Sequence, residues 1–574
     1  MKWNLAKKIS KSDLDRFPEI NPVVLQLLFN RGLTTQKQID EFLYPDYSQD
    51  VHDPYLFNDM AKAMKRLVIA HKKKEKICIF GDYDVDGVSG SVILATVLED
   101  LGYQVFSYIP HRDKEGYGLN KKAVAKIIKD KAQLIISVDC GISNYEEVVL
   151  AKDKYGVDTI IVDHHDKPAK LPPAVAIIHC HLPGEKYPFK NLSGGGTAFK
   201  VAQAVLRDKY FKLTTKDIES KEKWLLDLVA LSTIGDIMPL LGENRTLVKY
   251  GLLVLQKTRR LGLLKLYEGA NIEAGKINTQ IVGWQINPRI NAAGRLKHAN
   301  LAYDLLTTKN VEQAIMMAHL LNKSNTERQA KTESFFNEAV TQVKKAYGDK
   351  IPRQALVVYD DDWSAGVLGL VAGRLARKYN RPAYALTKVG KNLVGSGRSI
   401  EGFDVTSVLQ ESSKLLLKFG GHTGACGLSV APEKFVELKT KLEELSKSVL
   451  SKQKLEPSLN VDAVVDFKEF NWQLFEEIEK FEPLGEANAQ PNFMILGLAV
   501  RDWQTVGNDN KHLRLTLERD GQVRKAIAFG LGEWAKDLQI DSQVDIVCQI
   551  GVNEWNGNRE LQMSVQDMKI INNQ

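Results

Sequence analysis

Cysteine is scarce: five in 574 residues, at positions 78, 140, 180, 426 and 548, with no C-x-x-C pair. So few in so long a chain exclude a disulfide framework and favour a reducing compartment. Long apolar runs are also missing, and none approaches the ~20 residues that span a bilayer. The opening MKWNLAKKISKSDLDRF has no apolar stretch behind its charges, so no secretory leader is expected. A cytoplasmic location and no membrane partner follow as expectations. Internal repeats and low-complexity tracts do not appear. Nor is there a large excess of one charge: 78 Lys and Arg stand against 71 Asp and Glu, a net +7. That mild balance permits a polyanionic partner without demonstrating one.

What is present is an ordinary globular composition, 44% hydrophobic and 26% charged, long enough for several cores. Residues 1–55 read as a helical preface, because VVLQLLFNRG and TTQKQIDEFL carry helical spacing. From 56 to 300, short β-rich runs (KICIFG, QVFSYIP, QLIISVD, DTIIVD, AVAIIH) alternate with helical ones (SVILATVLEDLG, TAFKVAQAVLRDKYF). That alternation predicts a mostly parallel sheet with helices on its faces. A helical connector follows at 301–350, and a smaller α/β lobe at 351–452, with QALVVYD, PAYALTK and LVGSGRS as strands. Residues 456–574 hold five β-like runs separated by GNDN, RDG and NGN, which fits a barrel of OB type. The fold class is therefore α/β: two lobes, a long helical connector and a C-terminal β-barrel.

Acidic residues sit at the ends of apolar runs. KICIFG leads into Asp82, Asp84 and Asp86; QLIISV into Asp139; DTIIV into Asp163, His164 and His165; LVALSTIG into Asp236. In a parallel sheet such ends line one edge, where open α/β folds build their sites. Any one of these aspartates alone could simply cap the following helix. Several together repel one another and must take up protons or bind cations. Aspartate oxygens plus an imidazole suit Mg²⁺ or Mn²⁺. Two such ions about 3.5–4 Å apart clamp the attacking and leaving oxygens of a phosphoryl transfer.

Two further segments, GSGRSI and FGGHTGACG, are rich in glycine, which lets backbone N–H groups approach an anion. Ser396, Arg398 and His422 are thus candidate phosphate contacts on the second lobe, and Arg112 of IPHRDKEGYG on the first. Arg289, Asn291 and Arg295 of NPRINAAGR are candidates for contacting a nucleic acid or stabilising a transition state. The triplet His179-Cys180-His181 lacks a second ligand pair and reads as structural. In the barrel, Trp503, Phe529 and Trp555 are candidates for base stacking, with Lys511, Arg514 and Arg524 along the backbone of a strand.

DYDVDG, SVDCGIS, VDHH and the GD of STIGDIMPL together resemble the four motifs of the DHH phosphoesterase superfamily. INPRINAAGRL, WSAGVLGLVAGRLARKYNRP, GSGRSI, LLKFGGHTGACGLS and PLGEANAQPNF narrow the resemblance to the RecJ exonucleases. It implies a DHH domain, a DHHA1 domain and an OB domain, and a single-strand-specific DNA exonuclease. The implied enzyme works 5′ to 3′ with two divalent ions, Mn²⁺ or Mg²⁺, and releases 5′-mononucleotides in repair and recombination. Carried over by motif, the ligands are Asp84, Asp86, Asp139, His164 and Asp236, with Asp82 a ligand or close support. The resemblance also makes Asp163 an orienter of His164, and points His165 at the scissile phosphate. Arg112, Ser396 and Arg398 would hold the terminal 5′-phosphate. A single-strand binding protein and a RecQ-type helicase are implied partners, beside single-stranded DNA itself. One departure is Gly235, where Ala or Val often precedes the last aspartate. Two rivals stay open: a DHH phosphodiesterase for short oligonucleotides or cyclic dinucleotides, which usually lacks the barrel, and an inactive DNA-binding scaffold, which would lack the acidic motifs.

Overall fold

A computed structural model describes residues 1–296, 298–452, 455, 457–555 and 557–571, apart from the side chains of Asp113 and Trp555. The chain divides into two units, one of residues 52–238 and 250–455, the other of residues 1–51, 239–249 and 456–574.

The first unit is built on two sheets. Strands β1 (Lys76–Gly81), β2 (Gln104–Tyr108), β3 (Leu134–Val138), β4 (Asp158–Val162) and β5 (Ala176–Ile178) are all parallel, in the order β2-β1-β3-β4-β5. KICIFG, LIISV and DTIIV are apolar almost throughout because they are buried on both faces. The strand order reverses direction between β1 and β3, and the crevice at such a switch point is where doubly wound folds place ligands. Helices α1 (Val85–Asp100), α2 (Gly194–Arg207) and α3 (Leu226–Gly235) pack against one another beside this sheet. LVALSTIG is thus a helix, unlike the three strand-borne runs, and Asp236 caps its C-terminal end.

Helix α4 (Asn287–Leu296) leads toward the 37-residue α5 (Val311–Tyr347), which Asn310 caps by accepting from Gln313 N. The second sheet holds β6 (Leu356–Tyr359), β7 (Ala383–Val389), β8 (Asn392–Arg398), β9 (Lys418–His422) and β10 (Ala425–Val430), ordered β9-β10-β8-β7-β6. Only β6 and β7 run parallel. Helix α6 (Leu368–Tyr379) covers one face. The glycine-rich segments are therefore strands: GSGRSI lies largely in β8, and FGGHTGACG is the β9–β10 hairpin. Most of their backbone N–H groups serve the ladder, so the expected phosphate cradle of loop amides is not what these glycines build.

In the second unit, β11 (Phe493–Val506), β12 (His512–Arg519), β13 (Gln522–Ala528), β14 (Gln543–Trp555) and β15 (Asn558–Ile570) run in the order β11-β12-β13-β15-β14. An additional β11–β14 pairing closes the ring, and β13 and β15 pair parallel. This is the five-strand closed barrel expected of an OB fold. Residues 1–51 are helical from Lys11 onward but open with a strand, Lys2–Leu5, paired parallel to Ser458–Val461. Val24, Leu25, Leu28 and Phe42 of this segment share one core with Phe481, Phe493 and Ile546.

Candidate metal centre

Strand β1 delivers its aspartates into the first turn of α1. Asp84 caps that helix: its Oδ1 accepts from the N–H of Asp86 at 2.9 Å and of Gly87 at 3.2 Å. The intervening N–H, on Val85, donates to Asn291 Oδ1 at 2.7 Å. Three orphan donors of the helix start are thereby satisfied. The capping reading and the acidic-site reading both hold for Asp84, since the cap uses only one of its two oxygens. Asn291 is spoken for as well: here its amide holds the turn that carries the aspartates.

Asp86 is held by three donors. The N-terminus of α2 aims at it, with Gly194 N donating to Oδ2 at 2.8 Å and Gly195 N to Oδ1 at 2.7 Å. Ser232 Oγ of α3 donates to the same Oδ1 and bonds Ser193 Oγ, the N-cap of α2, at 2.6 Å. A side chain at either glycine would force its neighbours to move. A Cβ on Gly194 would lie 2.6 Å from Asp139 Cβ, and one on Gly195 2.5 Å from Ser232 Oγ. This support was absent from the sequence reading. The run SGGG opening a helix was its one visible signal, because exposed helix N–H groups attract a carboxylate.

Asp139 ends β3 in the left-handed region, φ 60°. His164 Nε2 lies 3.1 Å from Asp139 Oδ1, 3.5 Å from Asp86 Oδ2 and 3.5 Å from Asp236 Oδ2. One imidazole nitrogen thus faces carboxylates delivered by β3, α1 and α3. Three sets of ligand atoms each lie within 4.8 Å of one another: Asp82, Asp84 and Asp139; Asp86, His164 and Asp236; Asp139, His164 and His165. Gly235 is explained by the same crowding, since a Cβ there would meet Val85 Cγ1 at 2.2 Å and Asn287 Nδ2 at 2.9 Å.

Asp163 departs from its expected partner. Its Oδ1 accepts from His165 Nδ1 at 2.9 Å and from His164 only through the backbone N–H, at 2.8 Å. The ring it orients is His165. Tyr117 Oη reaches the same ring, 3.0 Å from Nδ1, while donating to the carbonyl of Asp139 at 2.9 Å. His179 hydrogen-bonds the carbonyl of His165 through Nε2 at 2.7 Å, a structural role.

Burial, then mutual repulsion, pushes the carboxyls of Asp82, Asp84 and Asp139 above their ordinary range. The same causes, burial first and then Asp86 and Asp84, push Asp236 to about 8. Burial also presses Asp163 upward, but the His165 bond outweighs it and holds that carboxyl at about 2. His165 answers in kind: burial lowers it, and Asp163 lifts it to about 9. His164 is lowered by burial. Asp82 Oδ1 is buried with no hydrogen-bond partner among the described residues. Clustered carboxylate oxygens, one of them unsatisfied, and a neutral imidazole match the donor set that Mn²⁺ or Mg²⁺ takes.

Known proteins share the domains that carry these residues. The N-terminal domain of the DHH family matches residues 76–233, the DHHA1 domain 353–448 and the RecJ OB domain 461–567. The single-stranded-DNA-specific exonuclease RecJ of Haemophilus influenzae is 32% identical over 96% of this chain and 96% of its own length. The chain belongs to the RecJ family. The RecJ of Bacillus subtilis is 33% identical over 99% of this chain and 71% of its own. The crystal structure of Thermus thermophilus RecJ with Mn²⁺ superposes with a TM-score of 0.84 at 26% identity, covering 99% of this chain and 79% of that one. A manganese-bound exonuclease RecJ gives 0.60 at 30% identity, over 70% of this chain and 98% of that one.

Arg112, Arg295 and Arg398 of this RecJ-family chain form a second, cationic group. Arg398 Nη1 donates to Ser396 Oγ at 2.9 Å, and Gly369 of α6 leaves room, since a Cβ there would sit 2.6 Å from Arg398 Nη2. Arg112 lies over the ring of Tyr83 at 4.8 Å. Arg295 donates to the carbonyl of Gly366 at 3.0 Å. Burial, then Arg112, Arg328 and Arg398, lowers Arg295 to about 9. Arg328, on α5, was not singled out from the sequence. Arg289 is tied to Asn322 Oδ1 at 2.6 Å. His422 stands apart: on β9 it pairs with Ala425, which pairs with Arg398, so one strand separates the two, about 10 Å at sheet spacing.

In the barrel, Phe529 is 64% exposed and packs edge-on to His512. Trp503 is half-buried against the barrel core. Lys511 pairs with Asp509, Arg514 is exposed, and Arg524 lies over Phe467. The Trp555 side chain falls outside the described residues. No helix among the described residues is long and apolar enough to cross a membrane.

Proposed function

We propose that this RecJ-family chain is a single-stranded-DNA-specific exonuclease that hydrolyses phosphodiesters with two divalent ions, working from the 5′ end and releasing 5′-mononucleotides. The observation that carries it is the convergence on His164 of carboxylates from three separate elements, beside Asp82 and Asp84. Residues 56–300 would be the catalytic domain, 301–350 the connector, 351–452 the DHHA1 lobe and 456–574 the nucleic-acid-binding barrel, with 1–55 in front.

Asp82, Asp84, Asp86, Asp139, His164 and Asp236 would hold the ions. When bound, the ions supply Lewis-acid polarisation of the phosphate and of an attacking water. The chain does the rest. Asp86 is fixed by three donors, so its oxygens do not swing as charge develops. Asp163 keeps His165 protonated, which leaves Nε2–H to donate to a phosphoryl oxygen. Arg112, Ser396 and Arg398 hold the 5′-phosphate, and Arg295 and Arg289 neutralise phosphates that follow. Water oxygen bonds to the first internucleotide phosphorus, the bond from that phosphorus to the 3′-oxygen breaks, and the 3′-oxygen leaves protonated. The shortened strand again begins with a 5′-phosphate, so the same anchor serves each round. His422 would act at longer range.

We extend the reading to a cytoplasmic enzyme that works beside a single-strand binding protein and a RecQ-type helicase. The family's domain set supports the DNA substrate, and the helicase and binding protein are tested by pull-down with the full chain. The decisive experiment is digestion of a strand labelled separately at each end, with Mn²⁺ and with excess EDTA. Early release of label from the 5′ end, abolished by EDTA, is the expected outcome. Release from the 3′ end, or cleavage in EDTA, would overturn the reading.

A further inference from the structure

Two large apolar side chains are exposed on segments that adjoin α3 and its C-cap Asp236. Trp284 is 71% exposed and Ile237 69% exposed. Ile237 directly follows Asp236 and holds φ at 55°, a left-handed conformation that a β-branched residue adopts only under strain. Trp284 lies in the π-helical turn Val282–Ile286, which runs directly into α4 with its Arg289, Asn291 and Arg295. Such turns are frequent at functional positions.

Contacts tie the two segments together. A Cβ on Gly283, the residue before Trp284, would lie 3.7 Å from Ile234 Cγ2 in the last turn of α3. Asn287 Nδ2 donates to the carbonyl of Leu231 at 2.9 Å, one turn earlier in the same helix. The turn that carries Trp284 therefore packs against the helix that presents Asp236. Arg289 Nη1 donates to the carbonyl of Gln285, the residue after Trp284, at 2.6 Å. Seven residues separate Trp284 from Asn291, which holds the aspartate turn; that is about 10 Å of helix. Among the described residues the indole has no ring or cation partner.

Single exposed apolar side chains are common on any surface. Here one directly follows Asp236 in strained backbone, and the other lies in a turn packed on the helix that ends at Asp236, next to a carbonyl that Arg289 holds. Resting on the single-strand reading above, we infer that Trp284 is a stacking shelf for a nucleobase of the strand at the carboxylate site, with Ile237 as its apolar border. A base inside a duplex has both faces covered by its neighbours, so an indole face selects bases that are unpaired and unstacked. Every base has such a face, so the contact discriminates strandedness without reading sequence.

The test uses the full chain with Mn²⁺ and the variants Trp284→Leu, which keeps apolar bulk, and Trp284→Phe, which keeps a ring. Substrates are a 5′-phosphorylated strand and copies carrying one abasic residue at successive positions. Trp284→Leu should raise KM about 5- to 150-fold, the range of one base–aromatic stack, while Trp284→Phe retains most affinity. One abasic position should impose the same loss on the parent and add nothing to Trp284→Leu. An unchanged KM in Trp284→Leu, or abasic penalties equal in variant and parent at every position, would overturn the inference. So would loss of Mn²⁺ binding in both variants by calorimetry, which would make Trp284 a support of the metal site. A parent inert on every strand would instead sink the nuclease reading.

Discussion

Replacing Gly195 by alanine adds one methyl group at a residue that touches no substrate, and it should disable the centre. The added Cβ would lie 2.5 Å from Ser232 Oγ, 2.7 Å from Ser232 Cβ and 3.3 Å from Asp86 Oδ1. The serine is the constrained partner, for its hydroxyl donates to Asp86 and bonds Ser193 Oγ. Overpacking of this kind costs about 1–3 kcal/mol. If Ser232 turns aside, Asp86 also loses a charge-assisted donor worth about 1.5–3 kcal/mol. Disturbing the groups that orient a metal ligand typically costs about 10–100-fold in metal affinity or activity. Alanine favours a helix over glycine by about 1 kcal/mol, which offsets part of the strain and keeps the chain folded. Mn²⁺ titration calorimetry on Gly195→Ala should therefore show affinity about 10–100-fold weaker than the parent, with cleavage falling in step at limiting Mn²⁺. Ser232→Ala, which removes a donor without crowding, should fall at the mild end of that range. Parent-like Mn²⁺ affinity in Gly195→Ala would mean that the α2 terminus does not position Asp86.

The remaining predictions concern charge. Asp236 sits at about 8 when metal-free, far above the ~3.9 of an unfolded aspartate. A raised acid contributes stability fully below its unfolded pKa and loses it as pH rises through the folded value. The metal-free chain should therefore lose stability between about pH 4 and about pH 8, and the gain in Tm from Mn²⁺ should grow across that window; a pH-independent gain in scanning fluorimetry would refute this. Arg398→Ala should erase the preference for 5′-phosphorylated over 5′-hydroxyl strands, a loss of about 10-fold or more in kcat/KM for the phosphorylated end; an unchanged preference would place the anchor elsewhere. Arg245, 1% exposed, donates to the carbonyls of Phe42, Lys480, Phe481 and Glu482 at 2.7–2.8 Å. Arg245→Ala leaves these without their donor and should cost about 3 kcal/mol or more in calorimetric unfolding of the metal-free chain, with a parent-like Tm as the contrary result.

Much of this was legible because it depends on local pattern. Apolar runs ending in aspartate gave the strands and the acidic edge, and turn signals gave the five barrel strands. What depends on distant packing was not legible. Nothing local tells that LVALSTIG is helical, since an apolar run buried all round lacks periodicity. Asn291 looked like a nucleic-acid contact because its role, accepting from Val85 N, needs a partner 206 residues away. Glycines in GSGRSI suggested an anion loop, yet the Gly397 position serves strand packing, where a Cβ would meet Cys426 Sγ at 2.5 Å. Residue type announces what chemistry is possible, and only tertiary contact decides which oxygen or amide is already committed.

The two charged groups of the first unit are costly to build in the same way and with opposite sign. Four clustered aspartates are raised by desolvation and by one another, while Arg295 is lowered by burial, Arg112, Arg328 and Arg398. Arg112 belongs to both groups, since its charge also favours ionised Asp82. Adding cations to the acidic group and a phosphate to the basic one relieves repulsion on each side, and neither ligand competes with the other for a partner. Linkage then requires that anything binding only the folded state stabilises it by an amount that grows with the logarithm of its concentration over Kd. Mn²⁺ and a 5′-phosphorylated mononucleotide should thus raise Tm separately, and together by at least the sum. A combined shift no greater than the larger of the two alone would mean that the two ligands compete for one site, and the division of labour between the carboxylates and the arginines would fall.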